Sequence, residues 1–228
     1  MELCKLVGGT NTGNCMEGHA LDKLSFVGKI IGIQPRIRLT RSFDESYHTY
    51  LGYSLRIEGE IDSVQRVFSV GIGKAIQAKL QLVANVSVSG KCLPVEDPDA
   101  ESVEYYKVSQ LAIVSRGEQG SLANPWEGIP PELETYRARG HRRLAARTYE
   151  THCTSCIWGA RMPVEIIVDN WNPRGRNKYR LETFCYGPLN CTVYKAGANR
   201  QVEGRNRMVY IEEDWVDIQN TEHRTLDE

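Results

Sequence analysis

No apolar run in this sequence approaches the roughly 18 residues that a membrane-crossing helix requires, so a membrane partner is not expected. The start, Met1-Glu2-Leu3-Cys4-Lys5, lacks the charged-then-apolar pattern of a secretory leader. The expectation is a cytoplasmic protein, and in that reducing setting seven cysteines, an odd number, make a poor disulfide framework. Catalytic signatures are missing as well. There is no Gly-x-Ser-x-Gly, no His-Glu-x-x-His and no kinase or dinucleotide fingerprint, and the five histidines are scattered without partners. The turn-forming cluster Gly8-Gly9-Thr10-Asn11-Thr12-Gly13-Asn14 has no strand before it and no Gly-Lys-Ser/Thr after it, which excludes a phosphate loop. These absences lean towards a protein without enzymatic activity.

Charge is scarce only in the sum. The net value of −1 conceals fourteen Lys or Arg against five acids between Arg137 and Arg207, then seven acids against Arg224 alone from Met208 to the end. A basic segment followed by an acidic tail points either to an anionic partner or to neutralisation of one part by the other.

Strand patterns dominate from Leu24. Phe26 to Leu39 is long and interrupted by glycine, as a strand that bends between two sheets would be. After a polar loop, Thr40 to His48, the segment Tyr50–Ile61 alternates, with Leu51, Tyr53, Leu55 and Ile57 on one face and Arg56, Glu58 and Glu60 on the other. Val64 to Val70 follows a turn at Asp62-Ser63, Lys74 to Leu82 has helical spacing, and Ala84–Val95 and Tyr105–Ser115 complete the set. Three strands, a helix and two strands is the order of the OB-fold, a five-stranded Greek-key barrel. Residues 24–116 resemble that family, including Asn85-Val86-Ser87-Val88-Ser89-Gly90-Lys91, which is similar to the fourth strand of single-strand-binding OB domains. Gly117 to Pro131, with Pro130-Pro131 adjacent, reads as a linker, and Glu132 to Ala146 as a short basic helix that Gly140 interrupts or divides.

The candidate metal ligands are Cys153, Cys156, Cys185 and Cys191. Cys-x-x-Cys turns aim backbone N–H groups at sulfur and favour a soft or borderline cation. An apolar run from Met162 to Trp171, a turn Asn172–Lys178 and a second strand Tyr179–Phe184 place one pair at each end of a hairpin. This resembles a zinc ribbon, with five residues inside the second pair where a ribbon has two. Structural zinc is the first expectation, an iron-sulfur cluster the alternative, because cluster sites tolerate irregular spacing. His152 could replace a sulfur, and Cys4, Cys15 and His19 form a weaker second group. A four-sulfur site leaves no position for water, so it would hold shape and not turn over substrate.

For single-stranded nucleic acid, the OB resemblance implies a face carrying Arg36, Arg38, Arg41, Tyr53, Arg56, Arg66 and Phe68. Against it stand the acids Glu96, Asp97, Asp99 and Glu101 before the fifth strand; the alternative is that the rings are core and the arginines solvated. The second basic group is the hairpin tip, Trp171, Arg174, Arg176, Lys178 and Arg180. Met208 to Ile211 reads as a last strand, and the acidic-aromatic stretch Glu212–Asp217 either folds back on the arginines or docks a protein partner.

The resulting expectation is a mainly β chain: an N-terminal extension (1–23), an OB-like barrel (24–116), a linker with a basic helix (117–148), a metal hairpin domain (149–210) and an acidic tail (211–228). Its expected role is binding single-stranded nucleic acid. A docking scaffold within a larger complex is the first rival; a ribbon paired with an OB barrel also resembles accessory proteins of acyl-CoA thiolases, in reversed order. An iron-sulfur redox or nucleic-acid-processing protein is the second.

Overall fold

The computed structural model describes residues 22–42, 45–118, 123–168 and 178–225. The chain is mainly β, built on one mixed sheet of eight strands in the order β2-β3-β5-β4-β1-β7-β8-β6, with β2 also pairing to β1. No helix among the described residues is long and apolar enough to cross a membrane.

The organising strand is β1 (Leu24–Arg41). At about 3.3 Å per residue its eighteen residues extend beyond any single partner, and it serves three. Its first part pairs antiparallel with β4 (Ser87–Pro94), nearly its whole length with β2 (Ser46–Ile61), and its end, Leu39–Arg41, runs parallel to β7 (Gly159–Ile166). A register shift between Ile30 and Gly32 decides which side chains point inward. Before it Phe26 and Ile30 are buried; after it Ile33, Ile37 and Leu39 are, so the inward parity has changed by one residue, as a bulge requires.

β2 continues antiparallel to β3 (Val64–Ile72), β3 meets β5 (Tyr105–Ser115) at one parallel bridge, Val70 to Tyr105, and β5 returns antiparallel to β4. Helix α1 (Lys74–Leu80) lies between β3 and β4. The expected order of elements in residues 24–116 is therefore present. The expected loop Thr40–His48 is much shorter, because β2 begins at Ser46 and the turn closes with the Ser42 N–H donating to the Glu45 carbonyl at 2.8 Å.

Beyond this unit, α2 (Leu133–Arg139) replaces the longer basic helix expected over 132–146. Gly140 ends it at φ +67°, and a Cβ there would stand 2.2 Å from the Asn220 carbonyl oxygen, so both conformation and space demand glycine. Arg142–Arg143 then form the two-residue β6, paired to the end of β8 (Lys178–Cys185), itself antiparallel to β7. The short helix α3 (Ala146–Thr148) runs into a π-helical turn, Tyr149–Cys153. A small hairpin of β9 (Arg200–Glu203) and β10 (Val209–Glu212) precedes α4 (Asp214–Thr221).

One apolar cluster runs from Phe26, Ile57 and Phe68 through Tyr136 and Met162 to Phe184, Tyr186 and Val202. The cysteine hairpin thus shares a core with the first five strands. The tail folds back. Arg143, fully buried, donates from its backbone N and Nε to Asp217 at 2.8 and 3.0 Å and from Nη2 to Asp214 at 2.6 Å. Arg41 makes a two-pronged pair with Glu212 at 2.6 and 2.9 Å. Buried guanidinium groups need such partners, since an isolated charge taken out of water costs several kcal/mol.

Candidate metal centre and adjoining cleft

The register of β7 on β8 places Gly159 opposite Cys185, which brings the turn holding Cys153 and Cys156 against the loop from Cys185 to Cys191. All four cysteines line one small cavity, with Trp126, Trp158 and Tyr194 among its walls. Cys153, Cys156 and Cys185 are buried and Cys191 is partly so. The cavity holds about 10 Å³, room for a single ion or one water and not for an eight-atom cubane unless the walls part.

Burial is the main force on these thiols. It pushes Cys153 up to about 12, with Cys156, Cys185 and Cys191 adding to the rise. Cys156 is pushed up to about 11 by burial against the pull of backbone N–H groups of Trp158, Trp126 and Gly159. Burial raises Cys185 too, opposed by the Arg142 guanidinium and by the Gly187 N–H, which donates to its Sγ at 3.3 Å. N–H groups aimed at sulfur are what a metal-bound thiolate needs. Among the described residues no three His, Cys, Asp or Glu side chains stand in a ready coordinating arrangement; the sulfurs share a cavity without being drawn together. His152 lies at the same cavity. Cys4, Cys15 and His19 lie outside the described residues.

The cysteine turn is fastened to β1. Gln34, buried in that strand, donates from Nε2 to the carbonyls of Cys153 at 2.7 Å and Cys156 at 3.1 Å, and its Oε1 accepts from the Tyr149 hydroxyl at 2.7 Å. Two residues earlier on β1, a Cβ on Gly32 would stand 2.8 Å from the Thr154 carbonyl and 2.9 Å from the Ser155 Cα, so only glycine lets the backbones come this close.

This contact also walls a polar cleft of about 310 Å³, bounded by β1, β2 and β3 on one side and by Tyr149, Glu150, Thr154 and Arg161 on the other. Arg56 and Arg161 line it. Both lower the Tyr149 hydroxyl, which burial, the larger effect, pushes up to about 12. Among the described residues neither guanidinium has a carboxylate partner. Of the acids at the cleft, Glu104 is held by Arg66 at 2.5 Å and by the Ser69 N–H at 2.9 Å, leaving Glu150.

The other residues expected to meet nucleic acid are mostly engaged. Arg36 and Arg38 both bind Glu101, at 2.6 and 3.0 Å. Arg66 holds Glu104 and donates to the Tyr105 hydroxyl at 2.6 Å. Lys178 pairs with Glu203 at 2.6 Å, and Arg180 with Glu182 while donating to the Gln201 carbonyl at 2.8 Å. Two expectations need correction. Phe68 is 1% exposed and Tyr53 3%, the latter with its hydroxyl donated to the Pro131 carbonyl at 2.8 Å; both rings are core and neither offers a stacking surface. Arg41 is buried with Glu212 and Glu182. Trp171, Arg174 and Arg176 lie outside the described residues. Sequence reasoning passed over Gln34 and Arg161 and read Arg143 only as a cation of the basic helix; a polar amide following the apolar stretch Ile30–Ile33 was the one available signal.

No protein family matches the chain, nor does any curated protein or solved structure.

Proposed function

We propose that this chain is a non-enzymatic binding module in which an OB-like barrel, extended by a metal-pinned hairpin, binds single-stranded nucleic acid. The observation that carries the reading is the convergence of four cysteines from both ends of the β7–β8 hairpin on one ion-sized cavity fastened to β1 through Gln34. The chemistry of that donor set, thiols with backbone N–H groups aimed at sulfur, fits zinc, which would be saturated by Cys153, Cys156, Cys185 and Cys191 and would hold the turn against the sheet. The barrel part rests on the pairings β1–β2, β2–β3, β3–β5, β5–β4 and β4–β1, which lead back to the starting strand, and on the order of elements typical of OB folds.

Two measurements test it together. Metal analysis with an absorption spectrum is expected to give one zinc per chain and no visible colour; a brown sample with iron and sulfide would replace zinc by a cluster. Titration with labelled single strands at two salt concentrations is expected to show salt-sensitive binding; absence of micromolar binding at low salt ends the nucleic-acid reading. A second reading, protein docking, is favoured by α4, where Trp215 and Ile218 are 50% and 63% exposed beside acidic Asp214. Co-purification that survives nuclease treatment would favour it.

A further inference from the structure

We propose that the cleft between β1–β3 and the π-helical turn is a phosphate subsite, in which Arg56 and Arg161 hold the backbone of the single strand without reading its bases; this rests on the nucleic-acid reading above. Arg161 comes from β7, outside the five-stranded unit, so the site exists only because the cysteine hairpin packs on that unit.

Three observations carry it. First, these two guanidinium groups line one cleft and have no carboxylate partner among the described residues, whereas Arg36, Arg38, Arg41, Arg66, Arg143 and Arg180 all do. Guanidinium groups present donors in a planar fork that matches phosphate oxygens. Second, Ser54, Ser102 and Thr154 line the same cleft and their hydroxyls have no hydrogen-bond partner among the described residues, leaving them as further donors. Third, the rings at the cleft are closed off: Phe68 is 1% and Tyr149 7% exposed, and the Tyr149 hydroxyl is committed to Gln34. A base would find nothing to stack on, while an anion would find two cations. Among the described residues Glu150 is the one carboxylate at the cleft without a cation of its own, and it opposes the anion.

The test uses the full chain with a labelled oligothymidylate, and separately inorganic phosphate followed by NMR. Two phosphate contacts on a single strand give a slope of log affinity against log salt near −1.4, or about a sevenfold loss between 50 and 200 mM salt. Arg56→Gln or Arg161→Gln is expected to weaken the oligonucleotide about fivefold and to flatten the slope by about 0.7. Arg161→Lys should recover part of the affinity, and Glu150→Gln should strengthen binding a few-fold. Thermal unfolding and metal content of the variants serve as controls, and neither is expected to change because neither arginine holds a carboxylate. If the oligonucleotide binds wild type and the double variant Arg56→Gln/Arg161→Gln within twofold, the subsite is wrong and the nucleic-acid reading survives. If the oligonucleotide does not bind but phosphate shifts cleft resonances in wild type and not in the double variant, the anion site stands and the nucleic-acid reading fails. If neither probe binds, both fall.

Discussion

Substituting Gln34 by alanine tests whether the cysteine turn is held to the sheet by one side chain. Gln34 is 8% exposed and its amide serves three groups, the carbonyls of Cys153 and Cys156 and the Tyr149 hydroxyl. The carbonyls keep backbone donors after the substitution, the Cys156 N–H at 3.2 Å and the Gly159 N–H at 3.1 Å, so each forfeits only a net bond of ~0.5–1 kcal/mol. The Tyr149 hydroxyl keeps nothing and is buried, which costs ~1–2 kcal/mol; the lost methylene adds ~0.8 kcal/mol. Gln34→Ala should therefore destabilise by about 3–5 kcal/mol, a large share of the ~5–15 kcal/mol typical of a folded domain. Tyr149→Phe, which orphans only Oε1, should cost about 1.5 kcal/mol. Because both variants break the same bond, the double variant should fall short of their sum by about 1–1.5 kcal/mol. The assay is urea unfolding of the four proteins followed by tryptophan fluorescence, which Trp126 and Trp158 at the cavity should report. A cost below about 1 kcal/mol for Gln34→Ala, or strict additivity in the cycle, would refute the reasoning.

Further outcomes are expected elsewhere. His48 is held down to about 4, first by burial and then by Arg41; its folded value lies below the unfolded 6.5, so the unfolded chain binds the extra proton and stability falls as pH drops from about 6.5 towards 4. His48's share of the loss at pH 5 is about 2 kcal/mol, so the shift in urea midpoint should be smaller in a His48→Phe variant, which keeps the contribution of the neighbouring His141, likewise held down by burial; equal pH dependence in both proteins would contradict it. Arg143→Ala leaves Asp217 buried without its cation and should cost about 3–5 kcal/mol in denaturant unfolding, whereas a cost under 1 kcal/mol would mean that the tail contributes little. Deleting residues 213–228 removes both Asp214 and Asp217 from the buried Arg143, so circular dichroism should show loss of cooperative unfolding; a cooperative melt like that of the full chain would refute this. Stripping metal with a chelator should open Cys153, Cys156, Cys185 and Cys191 to alkylation while Cys92, 0% exposed, stays protected. Mass spectrometry showing the same alkylation with and without chelator would count against the metal.

Periodicity and spacing determined the local elements of this protein. Alternation marked the strands from Leu24 to Ser115 because a half-buried strand writes its pattern into adjacent residues, and the turn formers at Asp62-Ser63 mark the β2–β3 hairpin for the same local reason. The cysteine pairs were legible because metal ligation constrains residues that are close in sequence at each corner. What the tertiary structure alone decided is which partners meet across 65 to 171 residues of chain. Gln34 reaches Cys153, Arg41 reaches Glu212, and Arg36 reaches Glu101, and the last two contacts give apparently free cations a carboxylate partner. The parity change after Ile30 in β1 likewise depends on β2 and not on β1 alone. Charge counts in the sequence cannot reveal such neutralisation, because Coulomb attraction depends on distance and solvent exposure and the chain encodes neither locally. Arg56 and Arg161 stand out because they line one cleft without a carboxylate partner among the described residues, and that cleft was invisible until β7 was laid beside β1.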